Sequence, residues 1–167
     1  VMFTDNLREN AEQLLIHCRR FSLKISTAES CTGGLIASCI TSCTGSSSVF
    51  ERGYITYSNE AKEELLNVSL TTLQSFGAVS EEVAIEMAEG ALINAKTNLS
   101  LAVTGVAGPG GGTSLKPVGL VFIACASEDA SDTKCQKFNF PGNREEIRLA
   151  TVEQAISLGL EVLRKNI

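Results

Sequence analysis

Four stretches of this chain carry side chains able to do chemistry. The first is Ala28-Glu29-Ser30-Cys31-Thr32-Gly33-Gly34, where a β-leaning run hands over to an apolar helical one. Backbone N–H groups at a helix start are unpaired and can receive an anion or an oxyanion. Adjacent glycines let a ligand approach the backbone closely. A hydroxyl at this corner reads as a nucleophile beside its own oxyanion hole. On the segment alone the plainer reading is a helix N-cap, supplied by Ser30 or Thr32, since such caps are strongly preferred. Cys31 is a rival nucleophile and would need a basic partner. The only histidine, His17, lies beside Asn10 and Gln13 on a predicted helix, away from its leucine stripe. A Cys31–His17 dyad therefore requires geometry that the spacing does not promise.

The second stretch is Tyr57-Ser58-Asn59-Glu60-Ala61-Lys62. Lys62 falls in the first turn of a predicted helix, where the dipole disfavours an ammonium. Partial burial pushes the same way and would make the amine a general base. The alternative is a surface lysine paired with a glutamate. The third stretch, Gly105 to Thr113, is dense in glycine and follows an apolar run. It is neither a Walker loop nor a dinucleotide fingerprint. Its N–H groups either cradle an anion or merely join two elements. The fourth places Arg144 at the start of the last predicted helix, a guanidinium fork at a helix N-terminus and so a phosphate clamp. Arg148 lies one turn on, as a helper or as plain surface. Ser46, Ser47 and Ser48 add a hydroxyl cluster that reads first as a loop.

The elements that must position these groups are legible as hydrophobic periods. Residues 5–20 and 80–95 repeat at helical spacing, and 35–43 reads as a buried helix. Ser58 or Asn59 caps a helix over 59–67, and a short helix covers 70–76. Strands are predicted over 24–28, 49–57 and 135–140. The runs 99–105 and 118–126 are nearly continuous in apolar residues, as central strands covered on both faces are. Asn143 and Glu146 form a capping box for a last helix over 144–165. Strands alternating with helices imply one α/β domain over 1–167, a three-layer α/β/α sandwich around a mostly parallel central sheet. Apolar residues on more than one side of the last helix imply deep burial or a dimer interface.

Composition narrows the function. The 167 residues carry a formal net charge of −5, and the 14 lysines and arginines are scattered, which argues against nucleic acid as a partner. Six cysteines with no C-x-x-C pair and one histidine supply no zinc set. No apolar run is long enough to cross a membrane, and the N-terminal stretch lacks the apolar core of a signal peptide. A cytoplasmic protein with buried free thiols is expected.

Seven blocks occur in the order seen in one family: AESCTGG (28–34), GSS (45–47), YSNEAK (57–62), GAVSEE (77–82), AVTGVAGPGGG (102–112), KPVGLVF (116–122) and FPGNREEIR (140–148). On them the chain resembles the CinA C-terminal domain family, in the stand-alone form known as nicotinamide-nucleotide amidase (PncC). The resemblance implies deamidation of nicotinamide mononucleotide to the nicotinate mononucleotide and ammonia, in pyridine-nucleotide recycling, with no metal or cofactor. It makes Ser30 the nucleophile and Lys62 the base. Tyr57, Ser47, Thr104 and Arg144 become further active-site residues. Tyr57 would steady the lysine or share its proton, Ser47 and Thr104 would orient substrate, and Arg144 would grip the 5′-phosphate. The backbone of Cys31, Thr32, Gly33, Gly34 and Gly105 is expected to line the substrate. A homodimer is expected. Two rivals stand: a catalytically silent nucleotide-binding module tied to competence or DNA damage, and phosphate-ester hydrolysis at the glycine loop. The latter usually needs clustered carboxylates and a metal.

Overall fold

The computed structural model describes residues 3–165. Residues 1, 2, 166 and 167, at the ends of the predicted domain, lie outside the described residues. The elements run α1 (Asp5–Arg20), β1 (Ile25–Glu29), α2 (Leu35–Thr41), β2 (Phe50–Ile55), α3 (Asn59–Leu66), α4 (Leu70–Phe76), α5 (Glu81–Ala95), β3 (Leu99–Gly105), β4 (Leu120–Ser127), β5 (Lys134–Asn139) and α6 (Arg144–Lys165). Local chemistry sets their starts. Thr4, Ser58 and Ser80 each accept the N–H three residues on, from Leu7, Ala61 and Val83. Asn143 and Glu146 exchange the two bonds of a capping box. The start of α4 is held from outside: the Glu86 carboxylate of α5 accepts Ser69 N–H at 2.7 Å and the Thr72 hydroxyl at 2.6 Å.

The sheet order is β2-β1-β3-β4-β5. β1 is parallel to both β2 and β3, while β4 is antiparallel to β3 and to β5. Four strands thus point one way and β4 the other. The reversal has a local cause. No helix separates β3 from β4, and without a crossover the chain can only return antiparallel. From β1 the chain leaves through α2 to β2 on one side, and later reaches β3 on the other. The C-terminal ends of β1 and β3 are therefore a topological switch point, where α/β sheets open a crevice.

Two cores result. On one face α1, α2 and α6 pack on Ile25, Leu99, Leu101, Val103, Val121 and Ile123. On the other, α5 covers Ala28, Ala102, Ala124 and Ala126 and contributes Ala84, Ala88 and Ala91 itself, while α3 and α4 pack on α5. This alanine contact brings α5 close to the sheet. Ser100 and Ser26 exploit the proximity by donating to the carbonyls of Ala88 and Ala91. The many apolar sides of α6 are covered within the chain: Val152, Ala155, Leu158, Val162 and Leu163 are all buried. That pattern carries no argument for a dimer.

Helix α3 sits on α5 at Gly90, where a Cβ would collide with the carbonyl of Leu66. Alanine normally stabilises a helix interior by about 1 kcal/mol over glycine. Here backbone meets the added atom, and overpacking costs about 1–3 kcal/mol or more. Gly90→Ala is expected to lower the urea midpoint, against the propensity trend.

Candidate active site

Ser30 is the first residue past β1. Its N–H donates to Val103 O at 3.1 Å, continuing the ladder to β3. Strand alternation sends Ala28 and Ser30 to the α5 face and Glu29 to the α2 face. The buried Glu29 carboxylate accepts the Thr32 hydroxyl at 2.7 Å, Ile36 N–H at 2.8 Å and Ala37 N–H at 3.0 Å. This corrects two expectations. The start of α2 is not an open anion site, because Glu29 fills it. Nor is Ser30 or Thr32 its cap: that position is Gly34, with no side-chain bond. Gly33 (φ +57°) and Gly34 (φ +102°) take left-handed conformations that turn the chain into α2. The N–H groups of Thr32 and Gly34 find no acceptor among the described residues.

Lys62 comes from the first turn of α3 on the same face as Ser30. Its Nζ lies 3.1 Å from Ser30 Oγ and donates to Thr56 O at 2.7 Å. The side chain is 1% exposed, so it is not a surface lysine. The only ion pairs among the described residues lie elsewhere. Burial lowers its pKa to about 8, opposed in part by the nearby Cys31 thiol. Thr56 escaped sequence reasoning because it acts through its carbonyl, which every residue possesses.

Tyr57 does not touch the lysine through a hydrogen bond. Its exposed hydroxyl accepts Arg144 Nη2 at 3.0 Å, and Arg144 Nη1 donates to Gly108 O at 2.7 Å. Arg144 thus ties the glycine loop to the segment beside Lys62. Thr104 neighbours Ser30 across the β1–β3 ladder, but its buried hydroxyl donates to Ala78 O at 2.8 Å. Gly105 is required by packing, since a Cβ there would meet Leu120 O at 2.8 Å and Val121 Cα at 3.0 Å. The glycine loop is anchored, with Val106 N–H donating to Leu120 O and Gly119 N–H to Val106 O.

Ser47 is not brought to this site. It lies in the turn Ser46–Ser48, before β2, where Val49 O accepts Ile25 N–H. That is the opposite end of β1, about 16 Å from Ser30 at ~3.3 Å per residue. His17 is also at that end, in a cavity with Leu23 and Asn98. Burial pushes the Cys31 thiol up to about 11. A protonated thiol far from the histidine is no nucleophile, and the Cys31–His17 dyad is set aside. Arg148, left open by its sequence, reaches the first stretch: Nε donates to Cys31 O at 3.1 Å and Nη2 to Thr32 O at 3.0 Å. A cavity of about 360 Å³, lined by Leu35, Arg144, Glu145, Arg148 and Leu149, adjoins it.

No group of three or more His, Cys, Asp or Glu among the described residues is placed to hold a metal. No described helix is long and apolar enough to cross a membrane.

Known proteins resemble this chain along almost its whole length. A CinA-like protein of Colwellia psychrerythraea is 45% identical over 161 residues, covering 96% of this chain and 36% of that protein. The chain spans about a third of the length of the curated relatives it matches first. The structure of competence/damage inducible protein CihA from Agrobacterium tumefaciens superposes with a TM-score of 0.93 at 44% identity, covering 97% of this chain and 98% of that one. A CinA superfamily protein from Klebsiella pneumoniae gives 0.91 at 30% identity, over 96% and 99% of the two chains. The model of the CinA C-terminal domain matches residues 7–163, and the chain belongs to that family.

Proposed function

We propose that the chain is an amidase that hydrolyses the carboxamide of nicotinamide mononucleotide to the nicotinate mononucleotide and ammonia. The observation that carries the chemistry is the 3.1 Å approach of Lys62 Nζ to Ser30 Oγ, in a site that buries the amine. The resemblance of the ordered motifs supports the substrate. With Lys62 neutral, the Ser30 hydroxyl donates to its lone pair, while Thr56 O holds a remaining N–H and orients the amine. Ser30 Oγ attacks the carboxamide carbon as its proton passes to Nζ. Unpaired N–H groups of the 31–34 turn receive the oxyanion. Lys62 returns the proton to the departing nitrogen, releasing ammonia and leaving an acyl ester on Ser30. Water, deprotonated by the same amine, attacks that ester, and the amine returns the proton to Ser30 Oγ as the acid leaves. This is a Ser–Lys form of nucleophile-and-base catalysis.

Arg144 is the proposed phosphate grip. Its two partners, a carbonyl and a phenol, are neutral, and no carboxylate pairs with it among the described residues. Its charge is therefore free for an anion. Arg144→Ala is expected to raise KM about 10–100-fold, with kcat within a few-fold of wild type, as lost uniform binding does. Initial rates across substrate concentration read this directly.

The reading places the enzyme in the cytosol, where its six free thiols stay reduced, and takes a homodimer as its working form. Light scattering reads the latter. The deciding experiment is incubation of pure protein with nicotinamide mononucleotide, following ammonia and the nucleotide product. Stoichiometric release of both is expected. Binding of the nucleotide without ammonia would overturn the amidase and favour the silent binding module.

A further inference from the structure

We propose that Arg148 is a positioning residue that aims the Thr32 N–H at the reacting carbonyl, and so builds the oxyanion site; this rests on the Ser30 reading above. The argument begins with the fork. Arg148 Nε and Nη2 donate to two successive carbonyls, Cys31 O at 3.1 Å and Thr32 O at 3.0 Å. No carboxylate lies within ion-pair distance of it among the described residues, so these carbonyls are what its side chain serves.

In a trans peptide the C=O and the following N–H point in opposite directions. Arg148 stands on α6, which packs on the α1 and α2 face. Ser30 and Lys62 meet on the α5 and α3 side. Drawing the Cys31 carbonyl toward α6 turns the Thr32 N–H toward Ser30. The Thr32 carbonyl, drawn the same way, directs the Gly33 N–H oppositely, but that group is already committed to Ser30 O at 3.0 Å. The Thr32 N–H has no acceptor among the described residues. Its residue cannot swivel, because the Thr32 hydroxyl donates to the buried Glu29 at 2.7 Å. One side of Thr32 is fixed by Glu29 and the other by Arg148. A guanidinium suits two neighbouring carbonyls because its donors form a rigid fork, which an ammonium lacks.

The test compares Arg148→Met and Arg148→Lys with wild type, using pyridine-3-boronic acid and the nicotinate mononucleotide as probes. Ser30 Oγ adds to the trigonal boron as its proton passes to Lys62, giving a tetrahedral, negatively charged boronate that mimics the oxyanion. The nucleotide product stays planar. Loss of one oxyanion donor costs roughly 100–1,000-fold. Arg148→Met is expected to lose about 100-fold in kcat and a comparable factor in boronate affinity. KM and product affinity should hold within threefold, and the pH inflection should stay in place. Arg148→Lys should fall between, and cooperative unfolding of both variants checks the fold. Unchanged boronate affinity in folded Arg148→Met would overturn the proposal. So would parallel losses of product and boronate affinity, which mark a merely structural role. If wild type binds the boronate yet releases no ammonia, the amidase reading fails while the boronate comparison still judges Arg148. If wild type binds no boronate, both fall.

Discussion

Ser30→Ala is expected to lower ammonia release by about 10⁴-fold or more while the protein keeps its fold, because the proposed nucleophile has no substitute nearby. The neighbouring thiol is held at about 11 by burial, so Cys31 does not take over at neutral pH. The structural cost is small. Lys62 keeps its bond to Thr56 O, and a single lost hydroxyl contact is worth about 1 kcal/mol. Pre-steady-state kinetics with wild type should show a burst of ammonia if the acyl ester accumulates, and the variant none. Near-normal turnover in Ser30→Ala would end the Ser–Lys mechanism.

Lys62→Met is expected to cost about 10³–10⁴-fold in kcat, since the proposed general base and general acid leave together. Two pH effects accompany it. In wild type, kcat/KM should rise with pH through an inflection near 8, as the amine sheds its proton. The second effect is on stability. The folded pKa of Lys62, about 8, lies below the roughly 10.4 of an unfolded lysine. The unfolded chain therefore binds the proton more tightly, and below pH 8 the folded state bears the full penalty. As pH rises from 8 toward 10.4 the penalty is released, which favours wild type by up to about 3 kcal/mol. Methionine has no such group. The difference in unfolding free energy between wild type and Lys62→Met should move in favour of wild type across that window. A flat difference would show that the amine is not desolvated.

Much of the fold is legible as pattern. The runs 99–105 and 118–126, the helix after Ser80 and the capping box at Asn143 and Glu146 all follow from period and cap chemistry. The direction of β4 does not, because apolar content is the same for a central strand of either sense. Only the missing helix between Gly105 and Leu120 encodes it. At the site, Ser30 and Lys62 are not singled out by their own spacing, where a helix cap and a surface lysine fit better; the ordered motifs around them select them. What surrounds them is harder to read. Thr56 and Gly108 contribute carbonyls, which have no residue type. The acceptors of Arg148 are likewise backbone, so its fork leaves no mark in the spacing. Glu29 gives a signal in retrospect, an acid just ahead of a helix start and buried in a strand. Ser47 shows the converse case: within one chain, a motif in the right order lies at the other end of the sheet.

The layer of alanines between α5 and the sheet has a consequence for the chemistry. Helix α3, which carries Lys62, is seated on α5 rather than on the strands, whereas Ser30 directly follows β1 and is tied to β3 through Val103 O. The gap between Lys62 Nζ and Ser30 Oγ, across which the proposed proton transfer runs, is therefore gauged by the thickness of that layer, with methyl groups at positions 28, 84, 88, 91 and 102 acting as a shim. The tolerance of the proposed chemistry is thus written partly in side-chain volumes far from any bond it would break.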